Sequence, residues 1–125
     1  MTTDSSTAAF APATGFINGN ALPWEPMADG VRRRILGYDD HLMMMMVEFR
    51  KGSIGVVHKH PHRQVSSIVK GSFEVEIGGA KKVLRAGDGF FIPPDVLHGV
   101  VALEEGMLVD VFTPCRDDIL AVRSK

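Results

Sequence analysis

The sequence is poor in cysteine and has no long apolar run. Cys115 is the only cysteine among 125 residues, which excludes a framework of intrachain disulfide bonds and favours a reducing compartment. No stretch approaches the roughly 18 apolar residues that a membrane span needs. Residues 1–15 lack the basic and apolar regions of a secretory signal. These absences predict a soluble, cytoplasmic protein that does not interact with a membrane.

The sequence also lacks a surplus of charge of either sign. Fourteen Lys and Arg residues stand against 15 Asp and Glu residues, for a formal net charge of −1. Without a basic surplus there is no general electrostatic attraction to nucleic acid or to an anionic membrane surface. We therefore predict that neither is a partner.

Helical periodicity is scarce, and short runs rich in Val, Ile, Phe and Met dominate from Leu22 onward. Each run is closed by Gly, Pro or Asp, a spacing that predicts an all-β barrel or sandwich. Residues 1–20 are small and polar and predict a mobile lead-in, followed by one domain over residues 21–125. Only Arg116–Val122 looks helical, as a short C-terminal helix or tail. The predicted strands are Val31–Leu36, Leu42–Phe49, Gly55–His60, Val65–Val69, Ser72–Ile77, Lys81–Leu84, Gly89–Ile92, Gly99–Ala102 and Met107–Phe112.

Four consecutive methionines form the middle of one predicted strand. Alternate residues of a strand share a face, so Met43, Met45 and Val47 lie on one side and Met44 and Met46 on the other. Methionine fills irregular cores well. We interpret the run as core packing, with the lining of a pocket as the alternative.

Three histidines are spaced to hold a metal ion. Residues i and i+2 of a strand point to the same side, so His58 and His60 are predicted to reach one ion inside a barrel, joined by His98. Imidazole is the commonest protein ligand for late first-row divalent metals. Three imidazoles and one oxygen ligand leave a position open for water or substrate. His62, which follows a proline, is predicted at the pocket edge or on the surface, and His41 faces solvent.

Two stretches resemble the paired motifs of the cupin superfamily. Gly52–Gln64 with Gly71 is similar to the first motif, which runs Gly, five residues, His-x-His, three or four residues, Glu, six residues, Gly. Gly87–His98 is similar to the second, in which Gly and five residues precede Pro, a turn and His. The resemblance covers about Leu22–Leu120 and implies a single β-barrel, the double-stranded β-helix jelly roll. It also implies one metal ion on His58, His60, Gln64 and His98.

Three positions depart from the cupin pattern. Gln64 replaces the usual acidic ligand, Asp95 a glycine, and Ala102 an asparagine. An amide keeps an oxygen donor but neutralises less of the metal's charge, so the ion stays a stronger Lewis acid. The site is correspondingly a weaker trap for Mg²⁺ or Ca²⁺, which favours one divalent Ni, Zn, Fe or Mn ion.

A narrower resemblance is to the pectin-degradation cupins of the KdgF type, which carry glutamine at the same ligand position. It implies a homodimeric enzyme that opens the ring of 4,5-unsaturated uronates, such as the galacturonate, to give linear 5-keto-4-deoxyuronate. It also implies Asp110 as the acid/base carboxylate and Arg116 as the arginine that binds the substrate carboxylate. The segments that carry it are Leu22–Glu25, Arg34–Asp40, His58–Gln64 and Asp110–Leu120.

Other interpretations of these residues remain open. Asp110 alternates with Val109 and Val111, so its carboxylate points inward if the valines point out, but it could be structural. Arg116 could instead pair with Asp117 or Asp118 at the surface. The metal could serve a cupin dioxygenase or a lyase, and the barrel could be a non-catalytic module that binds a sugar or another small ligand.

Overall fold

The computed structural model describes residues 15–123, which form two antiparallel sheets and one short helix. The strands are β1 Glu25–Ala28, β2 Val31–Tyr38, β3 Met43–Phe49, β4 Ile54–His58, β5 Arg63–Lys70, β6 Ser72–Ile77, β7 Ala80–Arg85, β8 Gly89–Ile92, β9 His98–Ala102 and β10 Gly106–Thr113. One sheet has the strand order β1-β2-β3-β10-β5-β8 and the other β4-β9-β6-β7. Helix α1 spans Asp117–Arg123, and no helix in the described range is long and apolar enough to cross a membrane. The all-β prediction is confirmed.

All nine predicted strands are present, and the sequence pattern missed one. Strand β1 has only four residues, and Pro26 lies inside it. It pairs only with β2 at the edge of the larger sheet, a position where proline is tolerated because one side of the strand has no ladder partner.

The predicted lead-in lies largely outside the described residues, which begin at Gly15. The described part of it leads into a 3₁₀ turn over Gly19–Ala21. The division of the chain into residues 1–20 and 21–125 stays a prediction.

The methionine run packs as the strand alternation predicts. Met43, Met45 and Val47 are buried between the sheets, whereas Met44 and Met46 are half-buried on the outer face. Met45 also lines a cavity between the two sheets. The interpretation of the run as core packing is therefore correct, and Met45 also lines a pocket.

Two backbone features bring the ends of β4 and β9 together. Asp95 has a φ of 63°, in the left-handed region that favours glycine and that aspartate tolerates better than most residues. Its backbone N–H donates to the carbonyl of His60 at 2.8 Å, which joins the two loops. A Cβ at Gly99 would lie only 2.8 Å from the carbonyl oxygen of Gly55. Glycine at residue 99 thus allows β9 to lie close to β4.

Candidate metal centre

His58, His60 and His98 converge at this junction. His58 of β4 and His98 of β9 are direct cross-strand partners, and their ring centroids are 4.5 Å apart. The His60 ring lies 5.6 Å from that of His58 and 4.8 Å from that of His98. One potential ligand atom from each residue lies within 4.8 Å of the others. The three imidazoles form a group able to hold a metal ion.

His60 reaches this group by a route that the strand pattern did not predict. The expectation that His58 and His60 share one strand is wrong, because β4 ends at His58. Pro61 lacks a backbone N–H and cannot continue a ladder. His60 instead lies in the β4–β5 loop, where the N–H of Asp95 holds its carbonyl.

Backbone carbonyls fix which ring nitrogen of each of the three imidazoles carries a hydrogen. A carbonyl oxygen only accepts hydrogen bonds, so each Nδ1 carries the proton and donates it. In a neutral imidazole, Nε2 is then left with a free lone pair. The contacts are His58 Nδ1 to the Val56 carbonyl at 2.8 Å, His60 Nδ1 to the His62 carbonyl at 3.0 Å, and His98 Nδ1 to the Val96 carbonyl at 2.9 Å.

Gln64, on the inner face of β5, places an oxygen against the lone pair of His60. Its Oε1 lies 3.1 Å from Nε2 of His60. Burial, reinforced by the charge of Arg116, lowers the pKa of His60 to about 4, so this imidazole is neutral near pH 7. Two lone pairs then face each other, an arrangement that a cation between them would stabilise.

A second observation points the same way. Nε2 of His98 is buried and has no hydrogen-bond partner within residues 15–123. Burial also lowers the pKa of His98, which disfavours protonation of this nitrogen. Three imidazoles with a neighbouring amide oxygen suit a divalent first-row transition metal. The residues present therefore fit the metal ion that the cupin motifs imply.

Asp110 points into the barrel beside Gln64, as the alternation with its valine neighbours predicts. It lies on β10 directly opposite Ser66 of β5. The Ser66 hydroxyl donates to Oδ1 of Asp110 at 2.5 Å, and Nε2 of Gln64 donates to the same oxygen at 3.4 Å. Burial raises the pKa of Asp110 to about 6, although the Ser66 hydrogen bond and the charge of Arg116 oppose the rise. A carboxyl group with such a pKa can both accept and release a proton near neutral pH.

Arg116 lies between β10 and α1 and forms a bidentate ion pair. Its Nε and Nη2 donate to the two carboxylate oxygens of Asp118 at 2.9 and 2.7 Å, and this pairing lowers the pKa of Asp118 to about 2. The alternative prediction that Arg116 pairs with Asp118 is thus correct. The Arg116 side chain is nevertheless only 11% exposed, lies 5.0 Å from the Phe112 ring centroid and lines the cavity. The pair fixes the guanidinium at the cavity, and Nη1 takes no part in it.

Most of these side chains, but not those of His60 and Ser66, border a cavity of about 150 Å³ between the two sheets. Apolar side chains and glycines form the rest of its wall. The polar residues that line it are Arg33, His58, Gln64, His98, Asp110 and Arg116.

Sequence reasoning missed Arg33 and Ser66. Arg33 is a second guanidinium on the cavity, where its Nε donates to Glu25 at 3.3 Å. Its inward position could have been predicted from strand alternation, because Arg33 lies between Val31 and Ile35, two buried residues on the inner face of β2. Ser66 is likewise a small polar residue at an inner position of β5.

The two remaining histidines have different surroundings. His62 is half-buried, its carbonyl accepts the hydrogen bond from His60, and the two rings lie 5.6 Å apart. It therefore lies beside His60, but it does not line the cavity. His41 is exposed, as predicted, and its backbone N–H donates to the side chain of Asp39.

The sequence and the fold can be compared with those of known proteins. The family model described as the cupin domain matches residues 45–112, from the middle of β3 almost to the end of β10. The chain belongs to the cupin family. Within this cupin, the matched range contains the three histidines, Gln64 and Asp110, whereas Arg116 lies just beyond it.

Three relatives are similar over most of their length. The pectin degradation protein KdgF of Dickeya dadantii (strain 3937) is 48% identical over 100 residues, which are 78% of this cupin and 91% of the relative. The structure of KdgF from Halomonas sp. has a TM-score of 0.82 and 37% identity, over 85% of this chain and 98% of that one. An RmlC-like cupin from Shewanella frigidimarina NCIMB 400 has a TM-score of 0.81 and 42% identity, over 87% and 96% of the two chains. The two relatives named KdgF agree with the resemblance to KdgF-type cupins.

Proposed function

We propose that this cupin is a metal-dependent enzyme that opens the ring of 4,5-unsaturated uronates, the galacturonate among them, to give linear 5-keto-4-deoxyuronate. The observation that carries the proposal is Asp110, a buried carboxylate hydrogen-bonded within the cavity beside three converging imidazoles. Proton transfer requires such a group, whereas simple binding of a sugar does not. The name of the Dickeya relative places that protein in pectin degradation, which supports an unsaturated sugar acid as the substrate.

The proposed metal ligands are His58, His60, Gln64 and His98. The donor set favours Ni²⁺, Zn²⁺, Fe²⁺ or Mn²⁺ over Mg²⁺ or Ca²⁺, because it contains three nitrogens and no carboxylate. A divalent ion bound there would supply Lewis acidity toward an oxygen that gains negative charge during the reaction.

The proposed reaction is an isomerisation that moves one proton. In the substrate, the ring oxygen is attached to the 4,5-double bond, and the anomeric carbon carries a hydroxyl group. Loss of the hydroxyl proton forms an aldehyde, breaks the bond from the anomeric carbon to the ring oxygen and leaves an enolate. Protonation of the enolate at carbon 4 then gives the ketone. No oxidant or further reactant is needed.

Asp110 is proposed to carry that proton. Its ionised form can accept the proton of the anomeric hydroxyl, and its protonated form can return a proton to carbon. A pKa of about 6 makes both forms accessible near neutral pH. The hydrogen bond from Ser66 holds one carboxylate oxygen in place and leaves the other for the substrate.

Arg116 is proposed to bind the uronate carboxylate. Its guanidinium is held by Asp118 and lies over Phe112, so little rotational freedom remains to be lost when a substrate binds. Arg33 adds a second positive charge to the cavity wall. An anionic sugar therefore suits this cavity better than a neutral one.

The reaction can be tested with freshly generated 4,5-unsaturated galacturonate. Purified, metal-loaded protein should accelerate the loss of the conjugated-alkene ultraviolet absorbance over an enzyme-free control. Proton NMR should show the alkene proton replaced by a methylene group beside a ketone. Decay at the control rate with folded, metal-loaded protein would contradict the proposed reaction.

We further propose that the enzyme is a cytoplasmic homodimer. The outer face of the larger sheet carries an apolar row in which the exposed Val65 is paired with the exposed Phe91 on β8 and with the half-buried Val111 on β10. An apolar sheet face of this kind is typical of an interaction surface, and a second copy of the chain would cover it. Light scattering should then give about twice the mass of the 125-residue chain, whereas a monomer at micromolar concentration would contradict the dimer.

A further inference from the structure

We propose that Ser66 is a positioning residue that turns the carbonyl oxygen of Gln64, rather than its amino group, toward the histidines. The inference rests on the proposed metal centre. It matters because the two ends of an amide side chain have nearly the same shape and opposite hydrogen-bonding character. Only the oxygen end offers a lone pair to a metal ion.

The directions of two hydrogen bonds fix the amide. Asp110 as a carboxylate only accepts hydrogen bonds, so the single proton of the Ser66 hydroxyl is donated to it, at 2.5 Å. The Ser66 oxygen can then only accept a hydrogen bond from Gln64. Nε2 of Gln64 lies 2.9 Å from that oxygen and donates to it. Oε1 of the same amide is therefore left facing His60.

Strand geometry makes this chain of hydrogen bonds possible. Gln64 and Ser66 are two residues apart on β5, so both side chains point inward. Asp110 of β10 is the direct cross-strand partner of Ser66. The amide, the hydroxyl and the carboxylate thus form one row that ends at the imidazole of His60.

Burial removes the competing arrangements. Gln64, Ser66 and Asp110 are 6%, 4% and 7% exposed, so little water can replace a lost partner. Without the hydroxyl, the Gln64 amino group would keep only the 3.4 Å contact with Asp110. A carboxylate in place of the Gln64 amide would not need to be oriented in this way, because both of its terminal atoms are oxygens. The requirement for Ser66 is therefore specific to an amide at residue 64.

The test is Co²⁺ binding by the full-length protein. Titration measures the affinity, and the visible absorption spectrum of the bound ion reports its ligands. We expect Ser66→Ala to weaken Co²⁺ binding by about 10- to 100-fold, the usual effect of losing a residue that orients a ligand, and to change the spectrum. Ser66→Thr, which keeps the hydroxyl, should restore both. Ser72→Ala is the matched control, since Ser72 is a buried serine that also donates to a carboxylate at 2.5 Å, that of Glu104.

A second background separates positioning from general packing. In Gln64→Glu protein, the added Ser66→Ala change should weaken Co²⁺ binding by less than about three-fold, because no amide remains to be oriented. An equal loss in both backgrounds, or an unchanged affinity and spectrum in Ser66→Ala, would overturn the inference. Wild-type protein that binds no Co²⁺ would overturn the metal centre together with it. Failure of uronate turnover alone would contradict the proposed reaction and not this role, because the readout is metal binding.

Discussion

Asp110→Asn is expected to lower kcat by about 10²- to 10⁴-fold, the usual contribution of a general acid/base group, while metal content stays unchanged. The asparagine amide keeps the size of the carboxylate, and its oxygen can still accept the hydrogen bond from Ser66. It cannot accept or release a proton near neutral pH. Steady-state kinetics and metal analysis of the same preparation measure the two quantities.

Glu104→Gln is the matched control for Asp110→Asn. Glu104 also accepts a serine hydrogen bond at 2.5 Å, from Ser72, but it does not line the cavity. This variant should keep wild-type kcat. An Asp110→Asn enzyme that retains more than about half of the wild-type kcat would exclude Asp110 as the proton carrier. Unchanged affinity for a sugar acid, with no turnover in either protein, would favour a non-catalytic binding module.

Arg116→Lys is expected to lower kcat/KM by about 10- to 100-fold, which corresponds to the loss of a charged hydrogen bond, mainly through a higher KM. Lysine keeps the positive charge but lacks the planar fork that engages Asp118 and lies over Phe112. A residue that binds the substrate carboxylate equally in the ground state and the transition state changes KM more than kcat. Initial rates over a range of uronate concentrations separate the two parameters.

Two further variants test whether the effect of Arg116→Lys comes from the position of the guanidinium at the cavity. Asp118→Asn should raise KM by a smaller factor, because the guanidinium remains but is held less firmly. Arg32→Lys is the control, since Arg32 forms an ion pair with Glu48 on the exposed outer face, away from the cavity. An unchanged KM in Arg116→Lys would show that Arg116 serves only its ion pair with Asp118.

Regular spacing along the chain made part of the site predictable. The two motif spacings placed His58, His60 and His98 together, and the structure brings all three within reach of one ion. Strand alternation correctly turned Asp110 inward. The direction of Asp110 depends on strand periodicity, which the order of residues records directly. The convergence of the histidines was implied by the cupin motifs and not by periodicity, because His60 lies in a loop.

The features that were missed depend on pairing between distant strands or on irregular backbone. The role of Ser66 exists only because β5 lies beside β10 in a register that sets it opposite Asp110. His60 was assigned to a strand because its i, i+2 spacing from His58 is typical of one. It lies instead in a loop, where its carbonyl accepts a hydrogen bond from Asp95, 35 residues away in sequence. Strand β1 was missed because Pro26 is a poor strand residue except at an edge.

The most direct test of the account is the dependence of uronate ring opening on the bound metal. The loss of alkene absorbance would be measured with protein stripped by a chelator and with the same protein reloaded with Ni²⁺, Zn²⁺, Fe²⁺ or Mn²⁺ in turn. We predict that the stripped protein falls to the enzyme-free rate and that one equivalent of a suitable ion restores turnover. His60→Ala should not be restored by any of them. Full activity of folded, metal-free protein would contradict the account.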